Sequence, residues 1–159
     1  FAGAAQAFLM DISDETAPTT VSELELAINK PEAEFCAAQL DSRVRSTIHY
    51  QEVDDPNDTT FAMLSMGNAG LRVFDIRNPE APVEVAYFNP GAIRRADGST
   101  SLDSAGAHTH YDPSTGHIWL RTRTGGFWAL EIEPQVREAL GLPPIAGLYP
   151  NGRPARPAQ

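Results

Sequence analysis

Gly70-Leu71-Arg72-Val73-Phe74-Asp75-Ile76-Arg77-Asn78-Pro79-Glu80-Ala81-Pro82-Val83 is the stretch on which the fold turns. Its first half is a short run rich in β-branched, aromatic and aliphatic residues, apolar on both faces, as expected of a strand sandwiched between neighbouring sheets. The run stops at an Asp, and the following Asn78, Pro79 and Pro82 forbid its continuation. Asn and Asp bond their own backbone two residues on, and Pro fixes the turn dihedral while donating no ladder bond. A second strand then starts at Val83, where Val83, Val85 and Tyr87 alternate with Glu84 and Ala86 in the manner of a strand near solvent.

The same grammar occurs elsewhere in the chain. Met10-Asp11-Ile12-Ser13-Asp14, running through Pro18 to Val21, matches Phe74-Asp75-Ile76-Arg77-Asn78, running through Pro82 to Val85, at a constant offset of 75 − 11 = 64. Gly126-Phe127-Trp128-Ala129-Leu130-Glu131-Ile132 lies on Gly70 to Ile76 at an offset of 126 − 70 = 56. At that second offset Ala62-Met63-Leu64 pairs with Ile118-Trp119-Leu120, each preceded by an Asp-Pro turn, at Asp55-Pro56 and at Asp112-Pro113. Internal repeats of this length are the signature of a protein built from stacked supersecondary units.

Nine strands are expected from these patterns: 7–13 and 20–28; 46–53, 61–66, 71–76 and 83–88; then 107–111, 117–122 and 127–132. Propeller blades have four strands. The expected fold is therefore all-β, a partial β-propeller of about three blades with the first and last incomplete. Residues 1–30 supply outer strands of an incomplete blade, and residues 31–45 a connecting insertion with a short helix over 31–40. Residues 46–90 form one complete blade, 91–106 a loop, and 107–133 a last blade lacking its outer strand. Residues 134–159 form a short helix over 134–140 and a Pro-rich tail. Such a stack would expose sheet edges and apolar faces, so a companion polypeptide carrying the remaining blades is expected. The absence of an initiator Met, with strand character already at Ala7, points the same way, to a separate subunit or a cleavage product.

The Gly70–Val83 stretch resembles the LVIVD repeat, an aliphatic strand ending in Asp and followed by a Pro-x-x-Pro turn. Met10 to Val21 resembles it again, with Thr16 where the first Pro stands; the third copy has Glu131 for the Asp and a displaced Pro134. The resemblance covers roughly residues 7–133. It implies a β-propeller, often seven-bladed and often exported from bacterial cells, hence an extracytoplasmic or secreted protein. It implies no shared reaction, because fold does not carry activity.

Composition narrows the partners. Among 159 residues the formal net charge is -9, and no cluster of Lys and Arg is present to displace counterions from phosphates, so nucleic acid is excluded as a partner. No apolar run approaches the ~20 residues of a membrane span, and residues 1–10 lack the basic start of a signal peptide. Cys36 is the only cysteine, which excludes an internal disulfide and a thiolate metal cluster and reads as a small buried residue.

The chemistry-bearing residues are few. His49, His108 and His110 fall on expected first strands, the innermost of each blade, which line a propeller's central channel. Spacing by two puts His108 and His110 on one face of a strand, the geometry of two ligands to one metal, and imidazole suits zinc, copper, iron or nickel. Two or three ligands do not close a site, so the companion chain would supply others. This plan resembles selenium-binding-type propellers, although no diagnostic motif of that family is present. The structural alternative has these histidines bonding the turn carboxylates Asp55 and Asp112. Tyr111, Arg121 and Arg123 are candidates to meet substrate, Arg121 and Arg123 as partners of an anionic group or, alternatively, of Glu131 or Asp103. The oxygen-rich loop Asp54-Asp55-Pro56-Asn57-Asp58 is a candidate calcium loop but lacks the Gly and distal Glu of an EF-hand, which favours a solvated turn. Gly125-Gly126 reads as a hairpin turn, and no Gly-x-Ser-x-Gly elbow exists for serine hydrolysis. Two functions remain: a binding scaffold, with or without a histidine-lined metal site in the channel, and a metal-dependent hydrolase or oxidoreductase centred there.

Overall fold

A computed structural model describes residues 7–26 and 46–145. The expected helix over 31–40, Cys36 and the end of the Pro-rich tail lie outside the described residues. The described chain is all-β with one short helix. Its strands are β1 (Ala7–Asp11), β2 (Thr19–Leu24), β3 (Tyr50–Val53), β4 (Phe61–Ser65), β5 (Leu71–Asp75), β6 (Val83–Phe88), β7 (Ala92–Arg94), β8 (Thr100–Leu102), β9 (Thr109–Asp112), β10 (His117–Arg121) and β11 (Phe127–Glu131), followed by α1 (Pro134–Ala139). They form separate antiparallel sheets, none closed: β1-β2, β3-β4-β5-β6, β9-β10-β11 and the small hairpin β7-β8. No helix among the described residues is long and apolar enough to cross a membrane.

The four-stranded sheet occupies the middle. Every residue of β4 is buried, because its alternate side chains serve two different cores. Phe61 and Met63 join Leu71, Val73, Tyr111, Ile118 and Leu120, which packs the middle sheet on β9-β10-β11. Ala62, Leu64 and Phe74 join Ala7, Leu24 and Leu26, which packs the opposite face on β1-β2. A strand covered on both sides has no polar face to display, and its unbroken apolar run follows from that.

The stretches matched at the offset of 64 adopt the same local structure bond for bond. The β1-β2 ladder shifts register between Leu9 and Met10, and the β5-β6 ladder between Val73 and Phe74. After each bulge the terminal Asp accepts the amide two residues on, Ser13 N–H to Asp11 at 2.8 Å and Arg77 N–H to Asp75 at 3.1 Å. A second side-chain turn follows, Thr16 N–H to Asp14 at 3.0 Å and Glu80 N–H to Asn78 at 3.2 Å. A backbone turn completes each copy, Ala17 N–H to Asp14 O at 3.0 Å and Ala81 N–H to Asn78 O at 3.1 Å. The copies also touch, since Ser22 Oγ donates to Pro79 O at 2.6 Å.

Residues 91–106 differ from the expected plain loop, because they contain the β7-β8 hairpin. Its turn is set by Asp97-Gly98: Gly98 has φ of 84°, Ser99 N–H bonds Asp97 at 2.9 Å, and Arg95 N–H bonds Ser99 O at 2.8 Å. The helix begins at a Pro, as expected, and holds Arg137 buried. That guanidinium donates to Gly116 O in the β9-β10 turn and to Pro143 O, while Arg77 Nη2 donates to Ala139 O at the helix end. α1 is thereby tied to two turns at one end of the stacked sheets.

Candidate functional site

β3 and β9 are the edge strands of adjacent sheets, and their facing side chains meet in two rungs. The Tyr50 ring lies 3.9 Å from that of His108, tilted by 37°. Two residues further along both strands, His110 Nδ1 stands 2.6 Å from Glu52 Oε1. Because both strands advance by two between rungs, β3 and β9 run in the same direction across the gap between sheets. His49 adds an edge-on ring contact to Tyr50 at 4.7 Å, and its amide donates to Ser65 O at 2.8 Å.

His108 and His110 are exposed while Thr109 between them is buried, so the period of two holds and both histidines share a face. His49 joins them through Tyr50. Tyr50 and Glu52 are not among the candidates the sequence offers, although their own spacing of two places them on one face of a strand. Tyr111 falls elsewhere. It is buried, with its ring edge-on to Phe61 at 5.1 Å in the core between sheets. The same alternation that unites His108 with His110 turns Tyr111 to the other side, into that core.

Arg121 and Arg123 are both exposed, and among the described residues neither makes an ion pair. The carboxylates weighed as their partners are otherwise engaged. Glu131 lies 3.2 Å from His117 Nε2. Asp103, 3% exposed, instead holds the β10-β11 turn: Oδ1 accepts Ser104 N–H, Thr124 N–H and Thr124 Oγ1–H, and Oδ2 accepts Gly125 N–H, each at 2.9 Å. Burial pushes its carboxyl up, but the Thr122 hydroxyl and the amides of Thr124 and Ser104 overcome that and hold it below the ordinary carboxylate value. The turn those bonds shape is a hairpin turn between strands.

The turn carboxylates proposed as histidine partners also serve turns. Asp55 accepts Asn57 N–H at 2.8 Å, and Asp112 accepts Ser114 N–H at 2.9 Å and the hydroxyls of Ser114 and Thr115. Hydrogen bonds from those hydroxyls hold Asp112 below its ordinary value. Asp54 accepts the amides of Thr60 and Phe61 at the start of β4, so Asp55 makes an Asx turn while Asp54 braces the far side of the same β3-β4 connection. Among the described residues no three His, Cys, Asp or Glu side chains are grouped so as to hold a metal ion.

No protein-family model matches the chain, and no curated protein matches it.

Proposed function

We propose that this chain is a segment of an LVIVD-like β-propeller that acts as a binding scaffold, with its site on the inner strands β3 and β9. The observation that carries the reading is the pair of in-register rungs, Tyr50 on His108 and Glu52 on His110, between edge strands that run in the same direction. Inner strands of successive propeller blades have that relation, and their facing side chains line a common channel. The identical bulge and tandem turns at Asp11 and Asp75 support a repeated unit.

The ligand of this site is a divalent transition metal, zinc, copper, iron or nickel, held in part by His108 and His110 with His49 beside them. Arg121 at the end of β10 and Arg123 in the turn that follows, unpaired among the described residues, meet an anionic group of whatever binds there. A companion polypeptide completes the ring. Its support is the apolar surface at the two ends of the stack: Phe8 and Met10 on β1 are 49% and 50% exposed, and Phe127 on β11 is 67% exposed and stacked on Trp119 at 5.4 Å. Such surface is normally covered. An extracytoplasmic location accords with the repeat resemblance.

Native mass spectrometry with elemental analysis of the purified protein tests both parts. Stoichiometric metal that disappears in the double variant His108→Ala, His110→Ala is the expected result. A metal-free protein, or metal content indifferent to those substitutions, refutes the metal site. A monomer with no accompanying polypeptide refutes the completed ring.

A further inference from the structure

A carboxylate can accept a hydrogen bond but cannot donate one, so the 2.6 Å contact between Glu52 Oε1 and His110 Nδ1 requires the proton to sit on Nδ1. The other ring nitrogen, Nε2, makes no hydrogen bond among the described residues, and the His110 side chain is 63% exposed. In a neutral imidazole so arranged, Nε2 presents a free lone pair to the open side. Metal-binding histidines are held in this way by a carboxylate or carbonyl behind them, which fixes the tautomer and raises the ring's basicity.

We propose that Glu52 is a positioning residue of the site: reaching across from the neighbouring sheet, it fixes His110 as the Nδ1–H tautomer, so that Nε2 is the nitrogen offered to a divalent transition metal. The inference rests on the metal reading above and deepens it. It also makes the site a joint product of two sheets, since Glu52 belongs to β3 and its histidine to β9. His117 provides a contrast within the same chain. Its Nε2 faces Glu131 at 3.2 Å and its Nδ1 is buried without a partner among the described residues, so it takes the opposite tautomer.

The test is a long-range proton–nitrogen correlation spectrum of the nitrogen-15-labelled full chain at alkaline pH, paired with calorimetric titration of zinc. His110 is expected as the Nδ1–H form and His117 as the Nε2–H form. Glu52→Ala should move His110 toward the Nε2–H form, leave His117 unchanged, and weaken zinc binding about 10–100-fold. Glu52→Gln, whose amide oxygen still accepts, should retain the tautomer and recover part of the affinity. A wild-type His110 in the Nε2–H form, or one unaffected by Glu52→Ala, overturns the role of Glu52 even if zinc binds. The predicted tautomer with no zinc uptake overturns instead the metal reading of the site, and with it the ligand assigned here.

Discussion

Replacing Asp103 by Asn should destabilise the protein by about 2 kcal/mol, and replacing it by Ala by about 3 kcal/mol. The carboxylate accepts four hydrogen bonds at 2.9 Å, three of them from the backbone amides of Ser104, Thr124 and Gly125. A bond to a charged acceptor contributes about 1.5–3 kcal/mol, but Thr124 and Gly125 are exposed and regain water when the acceptor is removed. The loss is therefore well below the sum. Asn keeps an oxygen for the bonds to Oδ1, yet it sets an amide N–H₂ against the Gly125 N–H, two donors face to face. The folded carboxyl lies below its ordinary value of about 3.9. Its contribution is accordingly complete above that value and lost as pH falls through the lowered one. Urea denaturation of wild type and Asp103→Asn across pH 7 to 2 should show a constant gap down to about pH 5 that closes in acid. A gap below about 0.5 kcal/mol at neutral pH, or one that persists undiminished in acid, refutes this account. Gly125→Ala perturbs the same contact sterically, since its Cβ would stand 2.2 Å from Asp103 Oδ2.

Two further substitutions test the packing of the middle sheet. Gly70→Ala forces a side chain onto a residue with φ of 80° and puts its Cβ 2.2 Å from the Phe88 carbonyl oxygen, which is backbone and yields little. It should cost about 3 kcal/mol or more, and a melting temperature within a degree or two of wild type would contradict it. Ser65 Oγ is buried with no hydrogen-bond partner among the described residues, so Ser65→Ala should be neutral or stabilise by up to about 1 kcal/mol in chemical denaturation. A clear loss of stability would mean that the hydroxyl is paired, through a bound water for instance.

Where side-chain chemistry acts within a few residues, the sequence was readable. Asp11 and Asp75 end their strands because an Asp oxygen reaches the amide two positions on, and that reach is independent of tertiary context. The short apolar run of β4, bounded by the Asp55-Pro56 turn and by Gly67 and Gly70, likewise reads as a strand covered on both faces. The β7-β8 hairpin was missed because Ala92–Arg94 and Thr100–Leu102 are three residues each, too short for a period to show, although Asp97-Gly98 was a usable turn signal. That Tyr111 faces away from His110 was legible as well, since a residue one step along a strand points to the other face. Glu52 and Tyr50 are different. Their partners lie 58 residues away on another sheet, and nothing in either local stretch specifies the pairing.

What brings them together is a matter of parity. In an antiparallel meander each strand reverses the chain, so four strands return it to the end of the sheet from which β3 set out. Adding the two-stranded hairpin β7-β8 preserves this, because two further reversals cancel. The chain therefore reaches β9 at the end where β3 began, and no connection has to run back along the length of a sheet to make the two edge strands point the same way. An odd count from β3 through β8 would have set β9 antiparallel to β3. Tyr50 and Glu52 would then have met their counterparts in the reverse order, and His110 would stand opposite Tyr50 with no carboxylate behind its Nδ1. The orientation of one imidazole, and with it the chemistry proposed for this site, thus depends on the even count of strands from β3 through β8.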